Sequence, residues 1–187
     1  MNTENRVSPQ APEIEEAIIG ACLIEQRAIP LIADKLRPEM FYVLRHQLIY
    51  AAILAMYHAG MKIDILTVKE ELAHRGKLEE AGGAFGITQL SSKVATSAHI
   101  EYHMQIVHEK YLRREMILGF NKLLACALDE TMDIDDSLMD AHNLLDRLEG
   151  EFGHNNHMRD MDELMTATMT EAEGRIANNI NCLLYTS

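Results

Sequence analysis

The sequence has no tryptophan and only four phenylalanines in 187 residues. Runs of β-branched and aromatic residues, the mark of strands, are scarce, which argues against a strand-rich core. Twelve methionines favour helical packing instead. Cysteine is also sparse. Cys22, Cys126 and Cys182 lie far apart, are odd in number and form no CxxC. Cys22 and Cys126 fall among apolar helical positions, where small buried thiols are common. This usage suits a reducing cytoplasm. No apolar run approaches the length of a membrane span, and no membrane partner is expected. The N-terminus, "MNTENRVSPQ", lacks the apolar core of a signal peptide.

Positive charge is missing where a nucleic-acid binder would need it. The net charge is −12. Residues 1–128 carry 15 acids against 14 lysines and arginines, whereas residues 129–173 carry 14 acids against Arg147 and Arg159 alone. A phosphate backbone requires a basic stripe, and the C-terminal third would repel it. In "RPEMFYVLRH", residues 37–46, Arg37 and Arg45 therefore read as surface or ion-paired side chains of a turn rather than a DNA grip.

The residues that carry chemistry are absent as well. "AGGAFGITQL" has the glycines of a phosphate loop but neither its lysine nor a preceding strand. His99 and His103 stand at i and i+4 without a third ligand, and His154 and His157 flank Asn155 and Asn156 in a polar stretch. Structural zinc sites use four ligands. There is no G-x-S-x-G elbow, and nothing polar surrounds Cys22 or Cys126 to activate a thiol. Asp133, Asp135 and Asp136 read as a helix start. No catalytic, cofactor-binding or metal residue is assigned.

What is present is helical patterning, and the expected fold is all-α. "APEIEEAIIGACLIEQ" opens a helix with Pro12 in its first turn, Glu13, Glu15 and Glu16 complementing the dipole, and Ile14, Ala17, Ile18, Ala21 and Cys22 on one face. A short helix is expected around Ile29–Leu36, broken by Arg37-Pro38. Pro38 starts a turn bearing Phe41 and Tyr42. A helix from about His46 to Ala59 presents Leu48, Ile49, Ala52, Ile53 and Met56 and stops at Gly60. In "IDILTVKEELAHRG", Thr67 and Glu70 have capping-box spacing, Val68 and Leu72 face inward, and Gly76 ends the helix. Gly82 and Gly83 break the chain before a short helix with Phe85 and Leu90. A long helix then spans about Ala98–Leu128, with Ile100, Met104, Val107, Tyr111, Leu118, Leu124 and Leu128 on a slowly rotating stripe. After the turn "DETMDIDD", Leu138, Ala141, Leu145, Leu148 and Phe152 follow 3-4-3-4 spacing. That is the seam of a helical hairpin returning along the long helix. "GHNNHM" interrupts the pattern. A further amphipathic segment follows from Asp160 to Ile176, with Met161, Leu164, Met165, Thr168, Ala172 and Ile176 on one side.

Taken in order, "PEIEEAIIGACLI", "LRPEMFYVLRHQLIYAAILAMYHAG", "KIDILTVKEEL", "GKLEEAGGAFGITQL" and "VATSAHIEYHMQIVHEKYLRREMI" closely resemble the N-terminal domain of bacterial replicative DNA helicases, the DnaB family. The match covers about Pro12 to Phe152. The resemblance implies a helical head over 12–97, a long antiparallel hairpin over 98–153, and a linker with its linker helix over 154–180. A disordered tail over 1–11 is expected before the head. Pro38, Phe41, Tyr42, His46, Gly60, Asp64, Thr67, Gly82 and Gly83 match the family's structural signature. By resemblance, Leu138, Ala141, Leu145, Leu148 and Phe152 form the hairpin interface, and Met161, Leu164, Met165 and Ile176 the linker-helix interface.

The function so implied is assembly of a hexamer collar, as a trimer of dimers, and docking of the primase in DNA replication, with a helicase loader as a further partner. The full-length parent would be an ATP-dependent helicase. ATP and magnesium belong to a motor domain whose P-loop these 187 residues lack, and DNA would be met only through that motor. "NINCLLYTS" departs from the family pattern, so residues 181–187 read as a non-native tail. A stand-alone helical adaptor or loader-type regulator with the same fold is the alternative.

Overall fold

The computed structural model describes residues 7–92, 98–129 and 131–156, with the backbone alone for residues 92 and 152–156. Among them are α-helices α1 (Pro12–Ile24), α2 (Leu44–His58), α3 (Ile65–His74), α4 (Gly83–Ser92), α5 (Ile100–Leu128) and α6 (Ile134–Asn156), two short 3-10 turns, and no strand. The chain divides into two compact units, residues 1–148 and 149–187. The head and the hairpin as far as residue 148 thus share the first unit. Of the second, the described part is the last two turns of α6. The segment Asp160–Ile176 and the tail Cys182–Ser187 lie outside the described residues.

α1 is the central helix. Pro12 occupies its first turn, where a missing amide costs nothing. From Ile18 to Leu23 every residue is buried, more than the single face that the sequence period suggests. α1 packs against α2, α4 and α5, and a helix enclosed on several sides has no use for a polar face. The core around it gathers Ile29, Ile32 and Leu36, Phe41, Ile49 and Ile53, Val68 and Leu72, Ile87 and Leu90, and Ile100, Met104 and Val107.

The connection after α1 differs from expectation. Instead of a helix over Ile29–Leu36, a 3-10 turn spans Gln26–Leu31 with Pro30 inside it. Pro30 has no amide to donate and so cannot stand inside an α-helix that begins at Gln26; turns closed on Ile29 and Ile32, rather than a regular helix, carry the chain to Leu36. Arg37 is extended, as a residue before proline must be, and Pro38–Met40 forms the second 3-10 turn. Phe41 is buried with its ring centroid 4.9 Å from that of Tyr50.

α2 and α3 end alike. Gly60 and Gly76 each take φ of +66°, and Met61 and Lys77 donate back to the carbonyls of Met56 and Leu72. This is the Schellman closure, which needs a left-handed residue after the cap. The start of α3 corrects the sequence reading. The N-cap is Asp64, not Thr67. Asp64 Oδ1 accepts from the Leu66 and Thr67 amides at 2.8 and 2.9 Å, and Thr67 Oγ1 accepts from the Asp64 amide at 2.9 Å. Thr67 is thus the N3 partner of the box, and Glu70 has no part in it.

α5 and α6 form an antiparallel hairpin. Residue pairs 122 with 140, 119 with 144 and 115 with 147 approach each other, so one number rises as the other falls. α5 is 29 residues long, roughly 44 Å. Its first turns enter the head core at Ile100, Met104 and Val107. α6 starts after Asp133, whose Oδ1 accepts from the Asp135 amide at 3.1 Å. It runs through "GHNN", where the sequence pattern suggests a break. Gly153, with no proline beside it, weakens a helix by only about 1 kcal/mol.

Candidate interaction surface

Cys22 is buried, and burial pushes its thiol up to about 12, away from nucleophilic use. Among the described residues no group of three or more His, Cys, Asp and Glu is placed so as to hold a metal ion. His99 is the N-cap of α5. Desolvation, and after it the charge of His99, lowers the pKa of His103. His154 lies in α6, and His157 is outside the described residues.

Polar side chains inside the head instead form a joint. Glu15 is 2% exposed. Its Oε1 accepts from the Tyr42 amide at 2.7 Å and its Oε2 from the Val43 amide at 3.2 Å. One carboxylate from α1 thereby caps the start of α2, where a helix favours an anion. Glu15 Oε2 also lies 2.8 Å from His46 Nδ1, and Arg45 Nε donates to His46 Nε2 at 3.2 Å. A guanidinium only donates. His46 Nε2 is therefore the acceptor, and Nδ1 carries the hydrogen given to Glu15. Arg45 Nη2 reaches Glu16 at 2.8 Å, and Arg37 pairs with Glu39 at 3.1 Å. Both arginines of residues 37–46 are thus ion-paired.

Arg114 of α5 completes the joint. It donates to the carbonyls of Pro9 at 2.9 Å and Met40 at 2.7 Å, and lies 5.6 and 5.9 Å from the ring centroids of Tyr42 and Tyr111. Desolvation pulls its pKa below the usual value, while Glu15 foremost and then the two tyrosines oppose that. Pro9 lies in the stretch expected as a disordered tail, and this bond places it. Neither Glu15's capping role nor Arg114 stood out in sequence, because partners 27 to 105 positions away leave no local period.

The residues read as a family signature take the following places in the head. Pro38 opens a 3-10 turn, Phe41 fills the core, Tyr42 and His46 meet Glu15, and Asp64 with Thr67 caps α3. Gly60, Gly82 and Gly83 take positive φ.

The hairpin divides the seam read from the sequence. Leu144, not Leu145, takes the buried place, at 8% exposed. Ala141 and Leu148 are half-buried beside it, while Leu138 and Leu145 are 62% and 47% exposed. Phe152 lies in α6 with its side chain outside the description. The deciding residue is on the other helix. A Cβ on Gly119 would stand 2.5 Å from Leu144 Cδ1. The missing side chain makes the slot that Leu144 fills. On α5, Leu118, Leu124 and Leu128 point outward, and Leu123 and Cys126 are half-buried instead. At about 100° per residue, Ile134, Leu138 and Leu145 share one flank of α6. Met116 and Phe120 share the matching flank of α5, and all five are exposed. The opposite flanks carry Lys122, Asn143 and Arg147. Met161, Leu164, Met165 and Ile176 lie outside the described residues.

Residues 7–109 match the family of the DnaB-like helicase N terminal domain. The chain belongs to this family. It is 40% identical over 174 residues to the replicative DNA helicase DnaB of Rhodothermus marinus, covering 90% of this chain and 18% of that protein. It is 34% identical over 141 residues to the replicative helicase DnaC of Bacillus subtilis, covering 75% of this chain and 31% of that protein. The chain thus spans about a fifth to a third of the length of these curated relatives. The crystal structure of the N-terminal domain of DnaB helicase from Mycobacterium tuberculosis superposes with a TM-score of 0.66 at 33% identity, over 78% of this chain and 97% of that one. The all-α fold of a DnaB-like N-terminal domain follows. No described helix is long and apolar enough to cross a membrane.

Proposed function

We propose that this chain acts as the collar domain of a replicative DNA helicase. Its hairpin joins copies into dimers and those into a hexameric trimer of dimers, and the collar docks the primase and a helicase loader in the cytoplasm. ATP hydrolysis with magnesium, and contact with DNA, belong to a motor domain outside these residues. The carrying observation is the exposed apolar flank of the hairpin, Met116, Phe120, Ile134, Leu138 and Leu145. A contiguous apolar flank of this kind marks an interaction surface. Burying one leucine stabilises association by about 1.5–3 kcal/mol, and a symmetric interface counts each side chain twice. The acidic hairpin and the ion-paired head arginines fit a protein-binding role better than a DNA-binding one.

The test is Leu145→Asp, which sets a charge on the flank and leaves Leu144 in its slot. In sedimentation velocity the wild type should show a mass that rises with concentration, and the variant should remain monomeric over the same range. Identical behaviour of the two would remove the hairpin flank from the assembly. A titration with the organism's own primase, read by calorimetry, tests the docking half separately.

A further inference from the structure

The flank of the hairpin facing away from that apolar surface holds a groove of about 290 Å³ between α5 and α6. Its floor is apolar: Gly119 and Leu123 are half-buried and Leu144 is buried. The bare backbone of Gly119 adds depth. Its rim is polar, with exposed Lys122, Asn143 and Arg147 and half-buried Asp140.

The charge distribution singles this groove out. In residues 115–148 the only lysine or arginine side chains are Lys122 and Arg147, amid acids that include Asp129, Asp133, Asp135, Asp136 and Asp146. Both cations line the same groove, with the Asn143 amide between them in the α6 register. Their present partners hold them loosely. Lys122 Nζ lies 3.3 Å from Asp140, with side chains 71% and 45% exposed, and Arg147 lies 3.6 Å from Glu115, with side chains 61% and 28% exposed. Ion pairs this open contribute little and exchange readily for a better-placed carboxylate.

We propose that this groove receives an aliphatic side chain with a carboxylate beside it, presented by a partner polypeptide whose surrounding surface is basic. The apolar floor takes the aliphatic group. Arg147 and Lys122 take the carboxylate, with Arg147 able to bind it through two nitrogens. Asp140 on the rim and the acids elsewhere on the hairpin favour a partner that is otherwise basic, and they steer such a partner toward this part of the chain. A second copy of this chain fits poorly, because it would bring its own acidic α6 against these acids.

The test uses a capped helical peptide of lysine and alanine bearing one Leu–Glu pair at i and i+4, beside a twin with glutamine for glutamate. Both are titrated into the isotope-labelled chain and followed by amide shifts. The Glu peptide should move Gly119, Asn143 and Leu144 saturably. The Gln twin should bind at least about tenfold more weakly, the worth of one charge-assisted contact. Lys122→Gln with Arg147→Gln should weaken the Glu peptide comparably while leaving the circular dichroism unchanged. Arg147→Lys, which keeps the charge but loses the two-nitrogen contact, should bind the Glu peptide more weakly than wild type and more tightly than the double Gln variant. Equal binding of the two peptides, or shifts away from the groove, would overturn the proposal. So would shifts at the groove that follow protein concentration without peptide, since a second copy would then be the occupant. Sedimentation of the double variant separates this site from the assembly flank: its mass should match wild type even where peptide binding is lost.

Discussion

Replacing Glu15 by glutamine tests the joint at the centre of the head. The carboxylate accepts from two backbone amides and from His46, and it is 2% exposed. Glutamine keeps the shape but supplies one acceptor oxygen. If that oxygen stays on the Tyr42 amide, the new NH2 faces the Val43 amide and His46 Nδ1, both donors. His46 can move its hydrogen to Nε2, but it then confronts Arg45 Nε, which must turn to solvent. One partly buried amide is left without an acceptor in either arrangement. A hydrogen bond to a charged group contributes about 1.5–3 kcal/mol, and an abandoned buried donor costs about 1–3 kcal/mol. The expected loss is roughly 2–4 kcal/mol, a large share of the roughly 5–15 kcal/mol a domain of this kind holds. The melting temperature should fall by roughly 4–16 °C. Urea unfolding followed by circular dichroism, at matched protein concentration, measures it. Glu109→Gln is the control. Its pair with Arg113 is more than half exposed on both sides, and it should change stability by no more than about 0.5 kcal/mol. If Glu15→Gln lies within that same margin, the carboxylate does not hold α1 to the start of α2.

Gly119→Ala should destabilise the hairpin by roughly 0.5–2 kcal/mol, although helix propensity alone favours alanine by about 1 kcal/mol; a more stable variant in thermal melts would mean Leu144 does not need its slot. Tyr50 is wholly buried and its hydroxyl has no hydrogen-bond partner among the described residues, so Tyr50→Phe should be neutral or stabilising by up to about 1 kcal/mol; a clear loss in urea would show that the hydroxyl is satisfied. The amides of Thr67 and Leu66 hold the Asp64 carboxyl below the usual carboxylate range. Its contribution is therefore complete above the unfolded value near 3.9 and is lost as pH falls through the lower folded value. Asp64→Asn, which keeps an accepting oxygen, should flatten the acid limb of the stability-against-pH curve in that window, and an unchanged limb would refute the assignment.

Local features of the chain were legible without coordinates. Each depends on a few neighbouring residues: proline in the first turn of α1, glycine after α2 and α3, the pre-proline break at Arg37, and the apolar period of α2. Backbone sterics and hydrogen-bond geometry settle such features over four or five positions. The ordered motifs carried the family as well, because they combine many such local choices. The candidate interaction surface was legible only as a set of apolar positions on α6.

Which of those positions face inward was decided elsewhere. Leu144 and Leu145 are adjacent and equally apolar, and periodicity admits either as the seam. The choice falls to Leu144 because Gly119, on the partner helix, leaves a slot there. Glu15 reads locally as a residue that suits the start of its own helix. The tertiary structure instead buries it against the start of α2, where three donors from 27 to 31 positions away converge on one carboxylate. A sequence period determines which residues share a face of a helix. What that face meets depends on packing between segments that are distant in the chain, and so the exposed flank, the groove and the buried joint belong to the fold alone.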